Sequence, residues 1–334
     1  MPTSTVVRAR RAGWRAVLAA CGLAVPHLAW AQAVPQPGPE PFGNLGTPVT
    51  VLPNVDVVGS TPLLGTGISR DLVPAETQVF TPQDIARQGL PNALQTLSDQ
   101  AAGVNLDSAS GNPYQPTLFY HGFEASPLQG TPQGIAVYVN GVRFNQPFGD
   151  TVNWDLIPDI AIDRMNLEGS NPVYGLNALG GSLSVQMKNG FTYHGAEFDA
   201  SGGSFGQVQG QFQYGKQVGD VSTYIAGDVL REEGWRDLQS SNLYNFFGDI
   251  GWRGEQGEVH LDITAADTTL NGPGTSPVEL LAVDPAAQFT GPNQISNQYL
   301  QVNLNGTYDV NDTTSLQAVS LVPRYSSWVV TILR

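Results

Sequence analysis

A chain of 334 residues, 41% of them hydrophobic, is long enough to bury a core in one or two domains, and only 13% of it is charged. With 38 Gly and 24 Pro, the composition excludes a coiled coil or helical bundle and leaves a loop-rich, β-dominated protein. The formal charge of -14, with no clustered Lys or Arg after residue 15, excludes a nucleic-acid-binding surface.

At the N-terminus, Arg8, Arg10, Arg11 and Arg15 precede an apolar stretch over 16–28, closed by Ala29, Trp30 and Ala31. This pattern predicts a secretory signal peptide over 1–31. The stretch is interrupted by Pro26 and His27 and falls short of the about 20 apolar residues a membrane-spanning helix needs. Cys21 is the only cysteine. The apolar stretch before it is too short for a lipoprotein leader, so it is expected to leave with the signal, taking disulfide and thiol chemistry with it.

Residues 32–70 read as an extended arm, with Pro35, Pro37, Pro39, Pro41, Pro48 and Pro53 and no helical period. Two β-prone stretches lie in it: Val49, Thr50, Val51 and Leu52, and then Val55, Asp56, Val57 and Val58. Each is either the first strand of the following domain or a segment able to add a strand to a partner.

Residues 71–190 read as a compact α/β mixture. A strand is expected over 77–80, then a helix start with Thr81 as N-cap, Pro82 at the first helical position and Asp84 closing a capping box. A second helix is expected over 91–100 with Gly103 at its end. Residues 135–144 predict a hairpin turning at Asn140-Gly141, and 162–167 and 182–187 predict strands. The intervening segments 107–116, 122–134 and 145–153 are long, which in a compact domain points to function or to disorder.

Residues 191–334 alternate with a period of two. Val208, Gly210, Phe212 and Tyr214 alternate with Gln207, Gln209, Gln211 and Gln213, and the pattern returns around 221–229, 244–252, 259–264 and 300–305. Short turns near 219–220, 254–257 and 311–312 alternate with long excursions at 231–241 and 268–296, which is the signature of a transmembrane β-barrel. About seven strands fit, and the alternation fails from 321 to 324.

Chemical motifs are few. Gly202-Gly203-Ser204-Phe205-Gly206 matches the nucleophile-elbow pattern, but the alternating strand after it leaves no helix beneath the serine. After the leader only His121, His194 and His260 remain, none at metal-ligand spacing. Carboxylates such as Glu232, Glu233, Asp262 and Asp267 suit wet loops or a polar lumen better than a glycosidase pair. The expectation is a protein that is not an enzyme and holds no cofactor or metal.

Residues 55–60, 74–80, 94–104 and 138–142, then Ile162 to Ser170 leading into Val173-Tyr174-Gly175-Leu176-Asn177-Ala178-Leu179-Gly180-Gly181, resemble the TonB-dependent outer-membrane receptor family. The Tyr-Gly-x-Asn-Ala-x-Gly-Gly string is the most specific element. The resemblance implies an α/β plug domain over 71–190, followed by antiparallel transmembrane β-barrel strands over 191–334, the barrel incomplete in this chain and the chain a fragment or truncated copy. It further implies transport of a scarce ligand such as a ferric siderophore across the outer membrane of a Gram-negative bacterium. The TonB protein, energised by ExbB and ExbD, would hold the arm at Val55, Asp56, Val57 and Val58, with Val49, Thr50, Val51 and Leu52 as the second choice. Tyr114, Gln115, Phe123, Gln129, Phe148 and Trp154 are the expected ligand-facing plug residues. Two departures stand out: where the family carries Arg-Gly-Phe and Arg-Gly-Pro, with arginines that tie plug to barrel wall, this chain has His121-Gly122-Phe123 and Glu168-Gly169-Ser170. The rival expectations are a passive porin-like barrel and a secreted carbohydrate-binding β protein.

Overall fold

The computed structural model describes residues 5–8, 57–59, 61–63, 67–73, 75–108, 110–291, 293–311 and 314–331. Of the segment read as a leader, only β1 (Thr5–Arg8) is described. The short strands β2 (Val57–Val58) and β3 (Ile68–Ser69) then pair antiparallel.

β4 (Thr77–Phe80) leads into α1 (Pro82–Ile85), whose start is the capping box read from the sequence. The Thr81 hydroxyl accepts from the Asp84 N–H at 3.4 Å, and the Asp84 carboxylate accepts from the Thr81 N–H at 2.9 Å. α2 (Ala93–Gln100) begins later than expected because Asn92, not a residue before Pro91, caps it, its side chain accepting from the Gln95 N–H at 2.9 Å. Three strands follow, β5 (Val104–Asp107), β6 (Thr117–Tyr120) and β7 (Phe123–Ala125), which form an antiparallel sheet of their own. They are too short for periodicity to reveal.

β8 (Ile135–Val139) and β9 (Val142–Arg143) form the expected hairpin, with Asn140 at φ 47° and Gly141 at φ 77°, the paired positive φ of a type I′ turn. β10 (Ile162–Gly169) and β11 (Gly181–Met187) complete a five-stranded sheet in the order β4-β10-β11-β8-β9, parallel only between β11 and β8. The core beneath it is made by Leu97, Leu118, Tyr120, Ile135, Leu156, Ile160, Met165, Leu167 and Leu183, all buried. Each contributes about 2 kcal/mol by leaving water, and the cluster continues into the wall through Tyr224, Ala226, Phe247, Ala266 and Tyr299.

The string at 174–181 earns its place by packing. Tyr174 is buried with Ala136 and Ala178, and its carbonyl accepts from the Tyr138 hydroxyl at 2.7 Å. Gly181 is obligatory for space, since a Cβ there would stand 2.4 Å from the Glu168 carbonyl and 2.7 Å from the Tyr120 ring.

The second sheet runs β12 (Gly195–Gly202), β13 (Val208–Val218), β14 (Val221–Glu232), β15 (Ser241–Arg253) and β16 (Gly257–Asn271). After a loop holding α3 (Val278–Val283) come β17 (Asn293–Asn311) and β18 (Thr314–Thr331). Every neighbour is antiparallel, and β1 lies beside β12. β12 and β18 do not pair, so the barrel is not closed in this chain. Seven consecutive strands match the expected number, but two boundaries are corrected. The loop expected over 268–296 shrinks to 272–292, because the ladder between β16 and β17 extends to Asn271 and Gln294. The failure of alternation at 321–324 ends nothing: β18 continues through it, with Pro323 opposite Gln301. A proline is tolerated there because β18 is the outermost of the described strands.

The sheet's two faces are inverted relative to a soluble sandwich. Phe212, Tyr214, Ile225, Tyr244, Ile250 and Trp252 are exposed, while Gln211, Gln213, Ser222, Asn245, Asp249 and Asn303 are buried. An apolar outer face and a polar inner one is the arrangement of a strand wall whose outside meets lipid. Ser204 of the apparent nucleophile elbow lies in the β12–β13 turn, where Phe205 and Gly206 have positive φ.

Candidate functional site

The first choice for the TonB-contacting segment is described only in part. Val55 and Asp56, with the second choice Val49, Thr50, Val51 and Leu52, lie outside the described residues. Val57 and Val58 form β2, Val58 is buried, and the Tyr174 hydroxyl donates to the Gly59 carbonyl at 3.4 Å. The arm therefore ends in a strand pair tied to the residue that anchors the 174–181 string.

The amide-rich inner face of the wall receives the plug through a set of buried polar contacts. Their centre is Asp155, in the 3-10 turn Trp154–Leu156 and 3% exposed. One carboxylate oxygen accepts from Gln115 Nε2 at 3.0 Å; the other accepts from the Thr268 hydroxyl and from Asn297 Nδ2 at 3.1 Å. Its carbonyl accepts from Asn245 Nδ2 at 3.0 Å. Burial pushes the Asp155 carboxyl above the ordinary carboxylate range, and the three side-chain donors pull against that. Plug and wall thus meet at Asp155, whose carboxylate takes donors from β16 and β17 and whose carbonyl takes one from β15.

Further contacts spread along the strands. Near the long-loop end, Asn112 Nδ2 donates to the Ser241 hydroxyl at 2.9 Å and to the Asn271 carbonyl at 3.0 Å, and Gln239 Nε2 donates to the Gly111 carbonyl at 3.0 Å. Asn153 Nδ2 donates to the Tyr325 hydroxyl at 2.8 Å. Toward the short-turn end, Asn140 Nδ2 donates to Asp262 Oδ2 at 3.0 Å, an oxygen that also accepts from Asn305 at 2.9 Å. Lys188 Nζ donates to the Ile160 carbonyl at 2.6 Å and to Gln213 Oε1 at 3.1 Å. Its burial lowers the ammonium to about 8, against the pull of Glu197 and Asp163.

The six expected ligand-facing residues separate into two groups. Gln115 is 1% exposed and bonded to Asp155, and Trp154 is 7% exposed. Tyr114 is half-buried, its hydroxyl donating to Glu232 Oε2 and accepting from Gln207 Nε2 at 3.1 Å. Burial first, and Glu232 next, raise its phenol. These three face the wall or the core rather than solvent, because the 107–116 segment packs onto the sheet instead of standing free. Phe123, Gln129 and Phe148 are exposed. The last two lie on adjacent loops, joined where the Val152 N–H donates to the Ser126 carbonyl at 2.9 Å.

The two residues that replace family arginines act inside the plug. His121, at φ 51° in the β6–β7 turn, stacks on Tyr120 with ring centroids 4.0 Å apart and lies 3.7 Å from Glu76. Glu168 is buried and accepts from Asn171 Nδ2 at 2.7 Å. Sequence reasoning saw that the guanidinium contacts were missing, but it did not find Asp155, Asn112, Asn153 or Asn140, which make the plug–wall contact here. Their signal was available in principle: an amide-lined wall face calls for acceptors and amides opposite it.

Comparison with known proteins agrees with this geometry. Residues 69–182 match the model of the TonB-dependent Receptor Plug Domain. No curated protein matches the chain. Among solved structures, the chain is similar to the ferric-catecholate import receptor Fiu from E. coli K12 in its open form, at 16% identity and a TM-score of 0.63, over 81% of this chain and 41% of that one. It is also similar to BauA, the ferric preacinetobactin receptor from Acinetobacter baumannii, at 15% identity and a TM-score of 0.60, over 78% and 39%. The ferric citrate transporter FecA, unliganded, is similar at 11% identity and a TM-score of 0.61, over 77% and 41%. The chain spans about two-fifths of the length of these receptors. Residues 69–182 of this chain are thus a TonB-dependent receptor plug domain, docked on the inner face of an unclosed antiparallel wall, and the chain as a whole has the fold of the corresponding part of these receptors.

Proposed function

We propose that this chain serves, as part of an outer-membrane receptor, in the TonB-dependent uptake of a scarce ligand, with a ferric siderophore or another metal chelate as the ligand class. The observation that carries the reading is the plug itself: a domain packed and hydrogen-bonded against the polar face of a wall whose apolar face points outward. The solved receptors it is similar to include ones for ferric catecholate and ferric preacinetobactin. Ligand would reach exposed plug residues, with Phe123, Gln129 and Phe148 better placed than Tyr114, Gln115 and Trp154.

TonB, energised by ExbB and ExbD, would take hold of the arm by strand addition, at Val55 to Val58 or, as second choice, Val49 to Leu52. If Val57 and Val58 are the grip, they must first leave β3, and a pull on Gly59 would then load the hydrogen bond from Tyr174. The reaction is transport, with no bond chemistry. Uptake of radio-iron supplied as catecholate and hydroxamate chelates, by cells with and without the gene and with and without TonB, tests the proposal. Uptake that needs both supports it; uptake that needs the gene but persists without TonB makes the protein a passive pore.

A further inference from the structure

Between plug and wall lies a cavity of about 350 Å³, bounded by α2, the 106–116 segment, the turn at Trp154 and strands β13, β14 and β15. Its volume is that of a small-molecule site. One side is apolar, with Leu94 and Leu97 from α2, Leu106 from β5, and Leu230 and Leu243 from the wall. The other side brings together Asp159 of the plug and Asp228 of β14.

These carboxylates come from different domains and feel each other. Burial, and after it the charge of Asp228, raise the Asp159 carboxyl to about 7. Asp228 accepts from Gln209 Nε2 at 3.2 Å, and among the described residues no cation pairs with either carboxylate. A second observation is independent of the charges. Two lining residues, each 7% exposed, carry a buried polar atom without a hydrogen-bond partner among the described residues: Trp154 Nε1, a donor, and Asn245 Oδ1, an acceptor. Buried polar atoms are ordinarily paired, so two unpaired ones on residues lining one cavity mark a place where something else supplies the partners. The Trp154 indole also lines the chamber, and an aromatic ring attracts a cation.

We propose that this cavity is a binding site for a small organic cation, an ammonium group carried on an apolar body, received by Asp159 and Asp228. Water alone would satisfy Trp154 and Asn245 but would leave the carboxylate pair without a counter-charge and the leucine side without a partner. The inference does not depend on the uptake reading.

The test uses the full chain folded in detergent, at pH 8, where Asp159 is ionised. The other titratable groups lining the cavity are Asp107, Tyr114, Asp155 and Asp228. Equilibrium dialysis with phenethylamine, against phenethyl alcohol as its neutral counterpart, is expected to show saturable binding of the amine at least tenfold tighter than of the alcohol. Asp159→Asn and Asp228→Asn are each expected to weaken amine binding at least tenfold. Leu94→Trp, which fills the apolar side and leaves both carboxylates in place, is expected to weaken amine and alcohol alike. Equal binding of the two compounds, partition without saturation, or amine binding unchanged in Leu94→Trp would overturn the proposal and leave a cavity that holds water only.

Discussion

Replacing Asp155 removes the acceptor at the centre of the plug–wall contact. In Asp155→Ala, Gln115 Nε2, the Thr268 hydroxyl and Asn297 Nδ2 all lose their partner at a site closed to water. Each orphaned buried donor costs about 1–3 kcal/mol; Gln115 belongs to the plug itself, so the two wall donors make the gross docking loss about 2–6 kcal/mol. Against it stands the relief of no longer burying a carboxylate, several kcal/mol after relaxation. A net loss of about 1–2 kcal/mol follows, roughly tenfold in the docking equilibrium. Asp155→Asn keeps one acceptor but turns an amide donor toward other donors, so it recovers only part of the loss. Hydrogen exchange of peptides covering 112–118 and 153–161, read against urea in the detergent-folded chain and compared with peptides of β10 and β11, measures docking. Coupling to Thr268→Val in a double-mutant cycle should reach about 1–3 kcal/mol, since the two side chains share one hydrogen bond. A loss below about 0.5 kcal/mol in Asp155→Ala, or strict additivity with Thr268→Val, refutes the idea that this carboxylate holds the plug to the wall.

Other consequences can be checked in the same preparation. Tyr114→Phe removes the hydroxyl between Glu232 and Gln207 and should lower the unfolding free energy by about 1–2 kcal/mol, with faster exchange over 108–116. Gly181→Ala should cost about 1–3 kcal/mol because its Cβ meets the Glu168 carbonyl, while Gly210→Ala, with nothing within 4 Å, should leave the melting temperature unchanged. Asp159 has its folded pKa raised from 3.8 to about 7, so its contribution to stability is full below about pH 4 and is lost as pH rises through about 7. The melting temperature should therefore fall between pH 5 and 7.5, and Asp159→Asn should flatten that slope; an identical slope in the variant would discount Asp159 as its source.

What was legible in the sequence follows from where single residues or strict periods decide the structure. The Thr81 capping box and the Asn140-Gly141 turn are local chemistry, and both formed as read. The amide and apolar alternation of 207–214 fixed the two faces of β13, although only the structure shows that the apolar face is the exposed one. The strands β5, β6 and β7 left no periodic trace because they are three or four residues long and are stabilised by partners across the plug rather than by their own pattern. The loss of alternation at 321–324 misled because it reflects side-chain choice, while pairing to β17 sets the backbone. Tyr114, Gln115 and Trp154 looked like exposed loop residues suited to a polar ligand. Their partners, Glu232, Asp155 and the core, lie tens of residues away, and linear spacing carries no record of them.

The central claim is that a TonB protein grips the arm of this chain. Capture of a purified periplasmic TonB domain by the detergent-folded chain, with Val57→Pro and Val51→Pro as separate variants, tests it most directly, because proline removes the N–H that strand addition needs. The account predicts capture by the unmodified chain, loss in Val57→Pro, and little change in Val51→Pro; the reverse pattern would move the grip to the second stretch. No capture by the unmodified chain, or capture indifferent to both prolines, would contradict it.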